Sequence, residues 1–175
     1  MSPMVRRPPG IELALLGFLC AGPLHGYQIH RTLSSRDGLE LVWHLKQSQL
    51  YALLARLEND GHVTSVLQNQ EPHPPRRVFE LTPSGRNTYI DWLTCPVSTP
   101  RLVRQEFMAK LYFLRQAEKG LLRKLVDSQR AACQKWLDDV NSKKNTSTEF
   151  DKLIFEYRTC QIEAMLAWLD SVTDN

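Results

Sequence analysis

Residues 45–61 constrain this chain more than any other stretch. Leu50, Leu53, Leu54 and Leu57 fall at i, i+3, i+4 and i+7, which on a helix makes one apolar stripe for a core. Ser48, Tyr51, Ala52 and Ala55 lie on the opposite side, with Gln47 at its margin. That side is polar, carries no acid and is small enough to approach a flat partner closely. Gly61 ends the helix, as glycine just past a C-terminus commonly does.

Periodicity divides the rest of the chain. Residues 1–10 hold three prolines, a glycine and Arg6-Arg7, and are expected to form an arm that either frays or touches DNA. Residues 11–21 are predicted as a buried helix broken by Gly22-Pro23. A second helix is predicted from about His25 to Ser35, with Tyr27, Ile29 and Leu33 as packing positions and Asp37-Gly38 as the turn after it. Residues 62–67 have strand character, and 78–81 are the expected partner. Pro72, Pro74 and Pro75 between them predict a hairpin tip, because proline cannot donate to a ladder. Thr82-Pro83 reads as an N-cap followed by the first helical residue. That helix carries Tyr89, Ile90, Trp92 and Leu93, and residues 95–100 read as an interdomain linker.

The remainder reads as three helices, at about 101–115, 118–142 and 148–172. In the last, apolar residues recur every three or four positions, as in a coiled-coil seam. Three helices alone bury little surface, which predicts packing against a second copy.

Composition excludes several classes. A chain of 175 residues holds one large domain or two small ones. Its 42% hydrophobic and 23% charged content is that of an ordinary globular protein. The apolar run at 13–21 is shorter than the ~18 residues of a membrane span and has no suitable cleavage site, so a cytoplasmic location is expected. A net charge of +3 permits nucleic-acid binding without arguing for it, so any basic footprint is local. Cys20, Cys95, Cys133 and Cys160 are far apart, with no zinc spacing; those in predicted helices, Cys20, Cys133 and Cys160, read as structural. No Gly-rich phosphate loop, HExxH or GxSxG is present. Asp138 and Asp139 diverge by about 100° on a helix and share no face. No enzyme activity, cofactor or metal is expected.

The order helix, helix, helix, strand, strand, helix is that of a winged helix-turn-helix, whose third helix enters the major groove. The predicted fold class is mainly α with a small β-hairpin. A winged helix-turn-helix DNA-binding domain is expected over 11–95 and a three-helix dimerisation domain over 101–173. The chain resembles the PadR-like transcriptional regulators in Leu15-Leu16-Gly17-Phe18-Leu19, in Gly22-Pro23-Leu24-His25-Gly26-Tyr27-Gln28-Ile29, and in Ser48-Gln49-Leu50-Tyr51 with Arg56-Leu57-Glu58 and Gly61. Phe79-Glu80-Leu81-Thr82-Pro83-Ser84-Gly85 fits the same pattern, followed by Trp92-Leu93. Residues 106–113 and 163–169 are similar to the longer branch of that family.

That resemblance implies a homodimeric DNA-binding regulator, usually a repressor, often released by a small effector. Its expected partners are a palindromic operator in duplex DNA, a second copy through the C-terminal helices, and a planar or aromatic ligand, with no membrane. The family usually has Ser or Thr where Lys46 stands, so the local N-cap is missing. Lys46 opposes the helix dipole and either meets a phosphate or stays solvated. Gln47, Ser48 and Tyr51 are the expected DNA contacts near the helix start. Arg56 is a phosphate contact or a surface ion pair. Arg76 and Arg77 are neighbours on one strand, so one is expected to reach DNA while the other braces the wing. Tyr27, Trp43, Trp92, Tyr112 and Trp168 supply aromatic surface, either for an effector or for the core. The resemblance suggests phenolic acids or flat hydrophobic drugs. The alternative reading is a small-molecule-binding helical dimer whose DNA binding is weak or lost.

Overall fold

The computed structural model describes residues 10–35, 38–70, 73–115, 119–143 and 148–173. The N-terminal arm with Arg6-Arg7, Asp37 of the expected turn, Glu71 and Pro72 of the hairpin tip, and residues 144–147 lie outside the described residues. The chain forms two compact units. One comprises Met1–Leu93 with Met108–Phe113, the other Thr94–Phe107 with Leu114–Asn175.

The first unit begins with a short α1 (Ala14–Phe18) flanked by 3-10 turns at Ile11–Leu13 and Leu19–Ala21. The predicted single helix is thus split, and Gly22 takes φ 146, where a side chain would be strained. Then come β1 (Leu24–His25), α2 (Gly26–Leu33), α3 (Gln47–Asn59), β2 (Val63–Gln70), β3 (His73–Leu81) and α4 (Pro83–Thr94). The sheet is antiparallel, in the order β1-β3-β2. This is a winged helix-turn-helix.

The leucine stripe of α3 is buried as its spacing predicts. Leu50, Leu54 and Leu57 are enclosed, and Leu53 is half-buried. Each enclosed leucine contributes about 1.5–3 kcal/mol relative to exposure. They join a core holding Leu15, Leu16, Ile29, Leu33 and Phe79. Met108–Phe113, within α6 (Met108–Leu114), belongs to this unit. Phe113 packs edge-on to Phe18 and Tyr89, with centroids 5.3 and 5.8 Å away. Lys110 is 1% exposed, its Nζ 5.1 Å from the Trp92 ring centroid.

Two sequence expectations need correction here. Tyr27 is not a packing residue of α2: it is 61% exposed. The wing strands are longer than predicted, so Pro74, Pro75, Arg76 and Arg77 lie within β3 and not in a loop. The two-residue β1 pairs with Val78 and Phe79, so among the described residues that side of β3 has no strand partner at the prolines. Proline is tolerated on such an edge, and the register shifts nearby, between Gln68 and Gln70.

In the second unit, α5 (Pro100–Leu102) leads into a π-helical turn at Val103–Phe107. Two long helices follow, α7 (Lys119–Lys143) and α8 (Glu149–Thr173), which pack on each other. Leu125, Val126, Cys133, Val140, Ile162 and Leu169 are buried. Gln129 is fully enclosed and accepts the Val97 N–H at 2.8 Å, anchoring the segment before α5. Arg130 Nη2 donates to Asp170 Oδ1.

Candidate nucleic-acid interface

Three elements of the first unit build this surface: the starts of α2 and α3, and the wing. Lys46 occupies the N-cap of α3 with extended backbone, and its side chain makes no capping bond. Half a capping box remains, because Gln49 Oε1 accepts the Lys46 N–H at 3.0 Å. His25 begins α2 in the same way, its N–H donating to Gln28 Oε1 at 2.8 Å. Lys46, Gln47, Ser48, Gln49 and Tyr51 are all exposed. Tyr51 leans on the start of α2: a Cβ built on Gly26 would fall 2.6 Å from Cε1 of the Tyr51 ring and 2.9 Å from its hydroxyl.

The paired arginines of β3 have different surroundings. Arg77 Nη2 donates to Glu58 Oε2 at 2.7 Å, and its Nε donates to Ser65 Oγ at 2.6 Å. Its guanidinium also lies 5.5 Å from the Phe79 ring centroid. Arg76 sits opposite Gln68 on the other face of the ribbon, exposed and without an ion pair among the described residues. Arg56 is likewise neutralised: Nη2 donates to Glu12 Oε1 at 2.6 Å, and Nε lies 4.0 Å from Asp60.

Between these elements runs a groove of about 840 Å³. His25, Tyr27 and Gln28 from α2, Tyr51 from α3, and Arg76 and Arg77 from the wing wall it. Of the aromatic residues considered for an effector, only Tyr27 is here. Trp43 and Trp92 are core residues of the first unit, 8% and 6% exposed. Tyr112 is half-buried beside Phe113. Trp168, in the second unit, stacks edge-on to Phe107 with centroids 6.0 Å apart.

Burial pushes the Tyr89 phenol far above its usual range. Burial likewise raises the Cys20 thiol, with Arg86 opposing, and the Cys133 thiol, with the Gln129 hydrogen bond opposing. Cys160, expected as structural filler, is exposed, as is Cys95.

Residues 15–90 match the Transcriptional regulator PadR-like family, and residues 103–175 match the Virulence activator alpha C-term family. The negative transcriptional regulator PadR of Bacillus subtilis (strain 168) is 27% identical over 174 residues, covering 93% of this chain and 94% of that protein. Over residues 15–90 the chain is similar to the PadR-like transcriptional regulators, and the likeness to one of them runs over most of its length. The relatives it matches are transcriptional regulators and not enzymes. A probable transcriptional regulator of Mycobacterium tuberculosis is 28% identical over 88 residues, 50% of this chain and 46% of that protein. Among solved structures, Bacillus subtilis PadR in complex with operator DNA is 26% identical; the likeness covers 94% of this chain and 97% of that one, with a TM-score of 0.48. Among the described residues, no helix of this PadR-like chain is long and apolar enough to cross a membrane.

Proposed function

We propose that this PadR-like chain is a sequence-specific DNA-binding repressor that acts in the cytoplasm as a homodimer and is released by a small effector. One observation carries the reading: the exposed start of α3 stands beside a wing whose Arg76 has no acidic partner among the described residues. In this reading Gln47 pairs with a base edge, while Ser48 and Tyr51 bind phosphate or a base. Lys46 meets a phosphate at the helix start, where free amides favour an anion. Arg56 and Arg77, already paired with acids, position α3 and the wing. DNA binding lies within 11–95 and dimerisation within 101–173.

The dimer reading rests on α8. Phe150, Leu153 and Tyr157 are 69%, 63% and 67% exposed, and Cys160, Ala164 and Ala167 continue the same 3-4 spacing, all exposed. An exposed apolar stripe with that period suits a coiled-coil partner, and a second copy is the simplest. Each protomer then reads half of a palindrome, with half-sites about one helical turn apart. Of the five candidate aromatic residues, Tyr27 is exposed and Tyr112 and Trp168 are each partly exposed, so an effector reaches these without opening a core. An effector releases DNA only through its differential affinity for the two dimer geometries.

A gel shift with DNA from upstream of the coding sequence, at two salt concentrations, tests the reading. Binding that weakens with salt and exceeds binding to unrelated duplex is the expected result. Absence of binding, with dimer and ligand binding intact, would establish the alternative of a ligand-binding helical dimer.

A further inference from the structure

Four apolar surfaces converge on the groove beside the wing. Tyr27 of α2, Tyr51 of α3, and Leu67 and Pro75 of the wing line it, and all four are exposed. An exposed leucine or tyrosine standing alone is ordinary. Four on one concave surface are not, because contiguous exposed apolar area marks a binding site. Their positions are held by the local structure. Tyr51 closes on the bare backbone of Gly26, where a Cβ would fall 2.6 Å from its ring. Leu67 stands opposite Arg77 in the ladder, and Arg77 is fastened to Glu58 of α3. The volume of about 840 Å³ lies within the range of small-molecule pockets, about 300–1,000 Å³. Two polar groups at this groove have capacity left. Arg76 has no ion pair among the described residues, whereas the charge of Arg77 is matched by Glu58. Gln28 uses Oε1 to hold the His25 N–H, which leaves its amide hydrogens for another acceptor. Both groups are donors.

We propose that this groove is a ligand site for a small monocarboxylate with an apolar body. The body lies on Tyr27, Tyr51, Leu67 and Pro75, and Arg76 takes the carboxylate, with the Gln28 amide as a second donor. Charge selects this class. One singly charged anion balances the one unmatched arginine, whereas a neutral ligand would strip water from Arg76 without giving it a partner. The site stands on the groove alone and needs no DNA. Its consequence rests on the DNA-binding reading above: Tyr51 and Arg76 belong to the DNA face, so an occupied groove excludes the duplex directly. Such a ligand is a competitor at the DNA face and leaves the dimer geometry as it is, unlike an effector that acts through that geometry.

Titration calorimetry with the full chain, without DNA, tests the site. The probes are naphthoate and decanoate, a flat and a flexible carboxylate, and the uncharged amide of naphthoate. At least one carboxylate is expected to bind, one per chain, with a Kd of about 1 mM or tighter, as a ligand of this size reaches. Which of the two binds shows whether the body is flat or flexible. The amide is expected to bind about tenfold more weakly than naphthoate, the worth of one charge-assisted hydrogen bond. Arg76→Gln should weaken the carboxylate by the same factor, and Leu67→Asp should abolish its binding. Trp168→Phe, in the second unit, should leave it unchanged. Leu67 and Arg76 are exposed, so unchanged melting temperatures are expected and exclude a folding effect. No binding by either carboxylate overturns the site, as does binding that survives both Arg76→Gln and Leu67→Asp. In fluorescence anisotropy, the bound carboxylate is expected to weaken an upstream and an unrelated duplex by the same factor, which keeps growing with ligand concentration. A factor that levels off would show ligand and duplex bound together and overturn the exclusion. If the parent binds neither duplex, the DNA-binding reading falls, while calorimetry still decides the ligand site.

Discussion

Arg77 and Glu58 tie the wing to the last turn of α3, with Nη2 to Oε2 at 2.7 Å. Ser65 closes a triangle, accepting from Arg77 Nε and donating to Glu58 Oε1 at 2.7 Å. Both charged groups are partly exposed, so the pair contributes about 0–1 kcal/mol, and its main effect is on geometry. Glu58→Gln should therefore lower the melting temperature only slightly. Amide exchange in β2 and β3 should quicken, because the wing loses its brace. Unchanged exchange in both strands would show that the triangle does not hold the wing.

Gly85 offers a sharper stability test. A Cβ there would lie 2.0 Å from the His62 carbonyl oxygen, a backbone atom that cannot turn aside. The Gly85 N–H also donates to Thr82 Oγ1 at 2.9 Å, the N-cap of α4. Gly85→Ala should destabilise the fold by about 1–3 kcal/mol in urea titration. Gly120→Ala, where nothing lies within 4 Å, should be neutral or stabilise by up to ~1 kcal/mol. Equal effects at the two positions would contradict the packing around His62.

Lys46 sets helix stability against binding. Gln49 already holds the Lys46 N–H, so Lys46→Ser would complete a capping box. The variant should gain about 1 kcal/mol of stability. It should also bind DNA more weakly, with a salt slope lower by about one. A more stable variant with the parent's slope would leave Lys46 as a solvated side chain.

Tyr157 lies in the middle of the exposed stripe of α8. Tyr157→Arg should shift the protein from dimer to monomer in sedimentation velocity, because two buried like charges would face each other. Its helix content should not change, since Tyr157 is 67% exposed in the single chain. A variant that remains fully dimeric would place the interface elsewhere.

The four cysteines should separate into two pairs by reactivity. Cys95 and Cys160 are exposed, whereas burial raises the thiols of Cys20 and Cys133. A raised pKa means less thiolate at a given pH, hence slower attack. A disulfide reagent at pH 8 should titrate two thiols quickly and the other two only on unfolding. Four equally fast thiols would show that the two units open readily.

Much of the fold was legible in the residues. Leucines at 50, 54 and 57 announce which side of α3 is buried, because a helix repeats within a window of a few residues. Thr82-Pro83 marks the start of α4 for an equally local reason, and Thr82 Oγ1 does accept the Gly85 N–H. The strand β1 escaped notice because two residues carry no period; its pairing with Val78 and Phe79 makes it a strand. Proline is a local breaker, so the sequence alone points to a hairpin tip at the wing prolines. The structure tolerates Pro74 and Pro75 where β3, among the described residues, has no strand partner on one side.

Alternation along a strand says that Arg76 and Arg77 face apart, and nothing within β3 says which of them is free. Glu58, nineteen residues before Arg77, decides that. The same holds for Trp43 and Trp92, which sit in the core, and for Tyr27, which does not. By itself the sequence determined most of the elements, the buried stripe of α3 and the PadR-like resemblance, since these depend on spacing and motif along the chain. Only the tertiary structure decided which wing arginine lacks an ion pair among the described residues, which aromatic side chain is exposed and which stripe of α8 is uncovered. Those are contacts between residues distant in sequence, and no local window contains both partners.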